Sequence, residues 1–458
     1  MKLALVAALL CVSSAFAHSD HAEGPQDRTL VRFQTTDAVK NYLRVNEIDV
    51  TGVDLKNDVV EALVNQDQLI QLQSLKAAFE FTIPQTMLRG PDPEYMNPAE
   101  VEAQLKAYAA QYPEITELRQ IGESLERRPI WALKISDNAS MRETSEPTLL
   151  FNGMHHAREV MTPEVTMDIA DYLLTRYNGD EKVRNWVDSN EIWVMPMFNV
   201  DGNNRMWTQD SMWRKNARGS YGVDLNRNYP SNWNGCNGSS GSTWSQTYRG
   251  PNAASEPETN VMMDFVKEIR PVFNISYHAY SELVLYPFGC RPMRTQTAEV
   301  VESIGREMGR LLNYTPGTPW ETLYNADGGD IDWMYQEMQV IPYVLEVNSS
   351  AQGGFHPDYA KWRNVTVERN RAGWQLLLDR AAGAGIRGHI TAAQVGLEID
   401  VKDMAGKMIQ IYKVNPDGTY HIVLNAGTYN LTFRADRSVL ASQQVTVSDR
   451  RVTLDKTF

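Results

Sequence analysis

The chain has 458 residues and a formal net charge of −13, with 44 Lys and Arg against 57 Asp and Glu. That length exceeds one ordinary domain and supplies ample material for a large core. The acidic balance argues against a nucleic-acid partner, and no apolar run after the first residues is long enough to span a membrane.

Met1 and Lys2, followed by "LALVAALLCV" and "SSAFA", read as a secretory signal peptide over residues 1–17, with small residues at Ala15 and Ala17. A lipid anchor through Cys11 is the weaker reading, because Leu10 is bulky where such signals take a small residue. The expected location is therefore secreted, extracellular or periplasmic. Cys236 and Cys290 remain after cleavage, and export permits a disulfide between them. The sequence leaves open whether they meet.

Residues 26–88 form a first zone. "TLVRFQ" alternates like a strand, "DAVKNYLRV" has helical spacing, "IDVTGVDL" and "VVEALV" are strand-like, "DQLIQLQSLK" is helical and "AAFEFTI" alternates again. The order β-α-β-β-α-β is ferredoxin-like. "PQTMLRGPDPEYMNP" then reads as a proline-rich linker.

Residues 92–383 form a second zone. "IWALKI", "PTLLFNGM", "EIWVMPMFNV", "FNISYHA" and "IPYVLEV" are apolar runs of the kind found in buried sheets, and helical patterns alternate with them. Thr162 is expected as the N-cap of a helix with Pro163 at its first position. Such alternation implies an α/β domain, whose ligands bind beyond the carboxyl ends of strands. The third zone, 384–458, holds short alternating strands with turns at "NPDG" and "NAGT", expected as a small β-sandwich without chemistry of its own.

A zinc hydrolase needs three protein ligands and an open position for water. In "FNGMHHAREV" (151–160), His156 and Glu159 supply two by their spacing, although His155 with Glu159 is also possible. The first ligand thus stays ambiguous on spacing alone. His278 in "NISYHAYSE", at the end of another apolar run, fits as the third.

"HARE", "WRKNARGSYGVDLNRNYP", "SEPETNV", "SYHAYSELVLYPFG", "YNADGGDIDWMY" and "VLEV" occur in the order and context of the zinc metallocarboxypeptidases. The second zone resembles that family throughout, with the carboxypeptidase A and T types nearest in look. The resemblance implies a mixed-sheet α/β catalytic domain, flanked by an N-terminal α+β ferredoxin-like pro-domain and a C-terminal all-β transthyretin-like sandwich. It implies one Zn2+ per chain, held by His156, Glu159 and His278, with Asp224 behind the first ligand to fix its tautomer. It makes Glu346 the general base and Arg214 the stabiliser of the oxyanion. Asn226, Arg227 and the capping Tyr324 would bind the terminal carboxylate, Arg158 would add positive potential along the groove, and Ile331 would floor the specificity pocket.

An apolar floor implies removal of apolar or aromatic C-terminal residues, tempered by Asp330 beside it. The first zone would be an inhibitory pro-segment, released by an activating protease at a linker bond such as Arg89–Gly90. The family's pancreatic-type disulfide is missing, because Ser220 and Trp244 stand at its places. Expected partners are peptide and protein C-termini. A zinc amidase acting on cell-wall peptides and a non-catalytic peptide binder are the alternative readings.

Overall fold

The computed structural model describes residues 28–75, 79–81, 90–391, 396–436 and 438–458. The expected signal peptide, Arg89 of the expected cleavage bond, and both ends of the expected strand 77–83 lie outside them. Among the described residues, no helix is long and apolar enough to cross a membrane.

The first zone forms the predicted elements: strand Thr29–Gln34, helix Asp37–Val45, strands Asp49–Asp54 and Val59–Val64, helix Gln66–Ser74 and strand Phe79–Phe81. Local chemistry starts each helix. The Thr36 side chain accepts from the Val39 N–H, and Asn65 forms a capping box with Gln68. The sheet is antiparallel, with Asp49–Asp54 at one edge, then Val59–Val64, Thr29–Gln34 and Phe79–Phe81. Val31, Phe33, Val39, Leu43, Val60 and Leu72 fill the space between sheet and helices.

The second zone is built on an eight-stranded mixed sheet. Its order is Thr315–Gly317, Leu283–Leu285, Ile341–Val347, Phe273–Ala279, Thr148–Gly153, Glu191–Met195, Pro129–Ile135 and Thr116–Glu123. The central four run parallel. They are buried almost throughout, which is why their sequences are continuous apolar runs instead of alternating ones. The run predicted over 191–200 ends as a strand at Met195, because Pro196 has no N–H to give the ladder.

One expected start is corrected. The helix after "HARE" spans Met161–Arg176, so Thr162 is inside it and Val160 precedes it. The Thr162 hydroxyl instead accepts from the Met154 N–H (3.0 Å) and donates to the Glu159 carbonyl (2.9 Å), tying helix, strand end and loop together.

After the long helix Tyr359–Ala382 the chain enters two four-stranded sheets facing each other over Ile386, Ile399, Val401, Ile422, Leu431 and Phe433. This is the expected sandwich. The strand Gly385–Thr391, which begins it, was not among the predicted ones; its two glycines interrupt the apolar alternation.

Cys236 and Cys290 are joined. The bond links the loop after "NRNYP" to the loop beyond Leu283–Leu285, across a separation of 54 residues. Closing a loop of that length is worth about 2–4 kcal/mol through the unfolded chain. The paired variant Cys236→Ala/Cys290→Ala is expected to lose about that much in denaturant unfolding, and undiminished stability would contradict a structural role.

Candidate functional site

The site lies at the carboxyl ends of the central parallel strands. Met154, with φ 63°, turns the chain out of Thr148–Gly153 into the loop that carries residues 155–160. That loop is held from three sides. The Asn199 side chain donates to the His155 carbonyl (3.0 Å), Asn203 donates to the Ala157 carbonyl (3.0 Å), and the Ala157 N–H reaches the Arg214 carbonyl (2.8 Å). His278 is the next-to-last residue of Phe273–Ala279, and strand pairing sets Glu346 directly beside it.

His156, Glu159 and His278 converge, each buried, with donor atoms all within 4.8 Å of one another. The His156 Nδ1 lies 2.7 Å from the Glu159 Oε1 and 3.1 Å from the His278 Nδ1, which is 3.2 Å from the Glu159 Oε2. The Nε2 of His156 meets Asp224 at 3.1 Å. That contact fixes the proton on Nε2 and leaves the Nδ1 lone pair turned to the cluster. Two imidazole nitrogens and a carboxylate facing one point form a donor set that fits zinc.

The ambiguity between the histidines is resolved by direction. His155 turns the other way, with Nε2 3.1 Å from the Tyr229 hydroxyl and Nδ1 3.3 Å from the Ser276 hydroxyl. Burial drops its pKa to about 4, so it is a neutral core group.

The charges are interlocked. Burial alone would raise the Glu159 carboxyl, but His156 and His278 outweigh it and hold it well below the usual range. Burial would likewise lower His278, which Glu159 instead raises. Arg214 donates to the Asp224 Oδ2 from Nη2 (2.9 Å) and Nε (3.3 Å), so Asp224 bridges the guanidinium and His156. Glu346 has no such bonded cation among the described residues, and burial pushes it up to about 7.

Asp224 also caps the short turn Leu225–Arg227, its Oδ1 accepting from the Asn226 N–H (3.0 Å). That turn brings Asn226 and Arg227 to a cavity of about 80 Å³, which His156, Glu159, His278, Arg214, Glu346, Tyr324 and Ile331 also line. Among the described residues, the Arg227 guanidinium bonds only main-chain carbonyls, those of Gly238 (3.1 Å) and Asn226 (2.7 Å). Ile331 packs with Leu283, Leu285 and Val344 in a small apolar cluster. Asp330 is buried beside it and also lines the cavity; its Oδ1 accepts from the Ile331 N–H and its Oδ2 lies 3.7 Å from His155.

Four features were not given by the sequence. The first zone was expected to cover the groove, but not by which element: its edge strand Asp49–Asp54 lies at the cavity, with Val50, Thr51 and Gly52 in the wall. Arg158, expected along the open groove, is fully buried and grips both oxygens of Asp49 (2.8 and 2.9 Å). Tyr280 meets Thr51 (2.9 Å) and Glu61 (2.7 Å). Tyr280 follows directly on the strand that carries His278 and lines the same cavity. The fourth is Asp332 in the cavity wall, whose oxygens accept from the Gly289 N–H at 3.0 Å.

A family model described as zinc carboxypeptidase matches residues 101–370. The chain is 31% identical over 280 residues to carboxypeptidase B2 of Bos taurus, an alignment covering 57% of this chain and 64% of that protein. It is thus matched over slightly less than two thirds of the bovine protein's length. To carboxypeptidase A2 of Rattus norvegicus it is 27% identical over 341 residues, covering 71% of this chain and 77% of that one. Its fold is similar to a crystal structure of thrombin activatable fibrinolysis inhibitor, with a TM-score of 0.67 at 23% identity, covering 78% of this chain and 99% of that chain.

Burial raises the Asp332 carboxyl to about 7, outweighing the hydrogen bonds from Gly289 and Asn232 that lower it, with a smaller push upward from the Asp330 charge. A carboxyl raised on folding binds its proton more tightly in the native state, so its contribution is present at acid pH and lost as pH climbs from about 4 to about 7. Asp332→Asn should match the parent in melting temperature near pH 4 and exceed it at pH 8. A gain that is equal at both pH values would contradict this assignment.

Proposed function

The chain belongs to the zinc carboxypeptidase family, and on that premise we propose that it is a secreted zinc exopeptidase that removes apolar or aromatic C-terminal residues and is made as a zymogen. The observation that carries the reading is that two kinds of group share one cavity: the His156, Glu159 and His278 donors, and the Asn226 and Arg227 pair suited to a terminal carboxylate. Residues 1–17 would be removed on export, 26–88 would be the pro-domain, 92–383 the catalytic domain and 384–458 the sandwich.

His156, Glu159 and His278 would hold one zinc ion, with Asp224 keeping the His156 imidazole in its binding tautomer. Zinc in such a site supplies Lewis acidity, lowering the pKa of water to about 7 and polarising a carbonyl. The substrate's terminal carboxylate would take the free donors of Arg227, with Asn226 and the Tyr324 hydroxyl beside it. Its last side chain would enter the apolar cluster around Ile331. That fixes the scissile carbonyl one residue inward, near Arg214 and Glu346.

Glu346, held up to about 7, is matched to taking a proton from the attacking water and delivering it to the leaving amine near neutral pH. Arg214, kept charged by Asp224, would donate to the carbonyl oxygen as negative charge builds there. The chain is hydrolysed one residue at a time because the carboxylate contact measures from its end.

C-terminal sequencing of a peptide pool by mass spectrometry tests the reaction. The linker-cleaved protein should shorten peptides from the C-terminus, with kcat/KM higher for terminal Phe and Leu than for Arg. Glu346→Gln should lose about 10²–10⁴-fold in rate while retaining its zinc. Internal cuts, a strong Arg preference, or an undiminished Gln variant would each overturn the corresponding part.

Latency follows from the strand Asp49–Asp54 lying across the approach to the cavity. Burial would raise the Asp49 carboxyl, but the Arg158 guanidinium overcomes this and holds it low, so the contact is an ion pair removed from water. Breaking such a pair from one side is strongly unfavourable. Proteolysis of the linker over residues 84–98, at a bond such as Arg89–Gly90, should raise the rate on a small peptide severalfold. Asp49→Ala should raise the basal rate of the uncut chain. Equal rates before and after cleavage would rule out inhibition.

A further inference from the structure

Where the sandwich meets the catalytic domain, a group of cations is assembled with no carboxylate in ion-pair contact among the described residues. The strand Gly385–Thr391 pairs with Thr419–Val423 on one side, setting Arg387 opposite His421. On its other side it pairs with Arg451–Thr453, setting Gly385 beside Arg451. By strand alternation, Arg387, His421 and Arg451 share one face of that sheet. The face turns to the catalytic domain: the His421 Nε2 meets the Thr144 carbonyl at 3.0 Å, and the Arg451 Nη2 lies 3.5 Å from the Arg380 carbonyl in the last turn of Tyr359–Ala382.

Some donors there are engaged, the Arg380 Nη2 by the Leu424 carbonyl (3.2 Å) and the Arg387 Nε by the Thr453 hydroxyl (3.4 Å), but others among the described residues are unused. Arg451 Nε and Nη1, Arg380 Nε and His421 Nδ1 are closed off from solvent and have no hydrogen-bond partner. Among the described residues, no carboxylate lies within ion-pair distance of Arg451, Arg380 or Arg387. Of the acids around the junction, Glu191 is engaged by Lys134 (2.9 Å) and Arg142, and Asp417 by the Thr419 hydroxyl (2.6 Å), while Glu307 acts on Arg380 only through its charge, without an ion-pair contact. Burial, then repulsion from Arg387, lowers Arg451 to about 10, which still leaves it charged at neutral pH. A half-buried guanidinium with two enclosed, unbonded nitrogens and no carboxylate partner is costly to hold near other cations, and a bound counter-anion would offset that cost.

We propose that this junction is a binding site for a small tetrahedral oxyanion of the phosphate or sulfate class, held by Arg451, Arg380 and Arg387 with His421 at its edge. Arg387 is exposed and marks the open side through which the ion enters. Guanidinium forks match oxyanions bidentately, which a spherical chloride cannot exploit. The unused donors lie below the surface, which favours a free ion over a membrane headgroup. The ion would act as a bolt between the two domains.

The test is titration of the full chain with inorganic phosphate and with sulfate at constant ionic strength, chloride being the balancing salt. Calorimetry should report one site per chain, with a saturable rise in melting temperature. Arg387→Gln, an exposed change, should weaken the affinity at least tenfold. Arg451→Met should abolish it, yet melt no lower than the parent in chloride, since it removes a charge with no partner. Phosphate and sulfate also stabilise proteins generally by exclusion from their surfaces. An equal, unsaturating rise in parent and both variants, or no calorimetric signal, would overturn the proposal. Should Arg451→Met fail to fold, the Arg387→Gln comparison still decides.

Discussion

The site depends on placing ionised groups out of water in a space where none can be removed alone. Glu159 is bracketed by His156 and His278, and Asp224 by His156 and Arg214. Two unit charges about 4 Å apart interact by about 4 kcal/mol at the effective dielectric typical of proteins. That is enough to hold each carboxylate ionised against burial only because each has two cationic or hydrogen-bonding neighbours. Glu346 lies just outside this chain of compensation, and its carboxyl rises accordingly. The difference in partners between two neighbouring acids is what separates a group suited to gripping an ion from one suited to moving a proton.

The sheet makes that difference possible. Adjacent parallel strands bring His278 and Glu346 into register, so their separation is set by the ladder and not by flexible loops. The remaining groups arrive on short connections whose main chains are tied by Asn199, Asn203 and Asp224. Asp224 serves two ends at once, since its Oδ1 caps the turn that presents Asn226 and Arg227 and the same oxygen faces His156. The groups that would grip the metal and those that would grip the substrate carboxylate are thereby referenced to one atom.

Much of this was legible because it is written in local chemistry. The N-terminal zone could be read element by element, since its strands alternate and both helices carry capping residues at their starts. The central strands declared themselves as unbroken apolar runs. Thr162 misled because a Thr-Pro pair is an ordinary helix start, whereas here the hydroxyl serves the loop before it. His155 and His156 could not be told apart by spacing, because only the backbone direction after Met154 decides which faces the cluster. Asp49 was invisible for a different reason. A single acid in an edge strand is commonplace, and its importance comes from Arg158, which is distant in sequence and entirely enclosed.

The way the N-terminal strand approaches the cavity also constrains what it can obstruct. Gly52 is required at the contact, because a Cβ there would fall 2.4 Å from the Tyr280 ring. Its neighbours engage groups along the upstream side: Asp49 on Arg158, Thr51 on Tyr280, and the Val53 N–H on the Ser281 hydroxyl at 2.9 Å. No acid of this strand reaches Arg227, whose guanidinium keeps only main-chain acceptors. The strand would, in the proposed reading, bar the path of a peptide while leaving the corner at Asn226 and Arg227 without an acidic partner from this strand. In the proposed reading, inhibition is a matter of excluding the long portion of a substrate and not of imitating its end. A ligand small enough to lie wholly within about 80 Å³ would not compete with Asp49 for its partner.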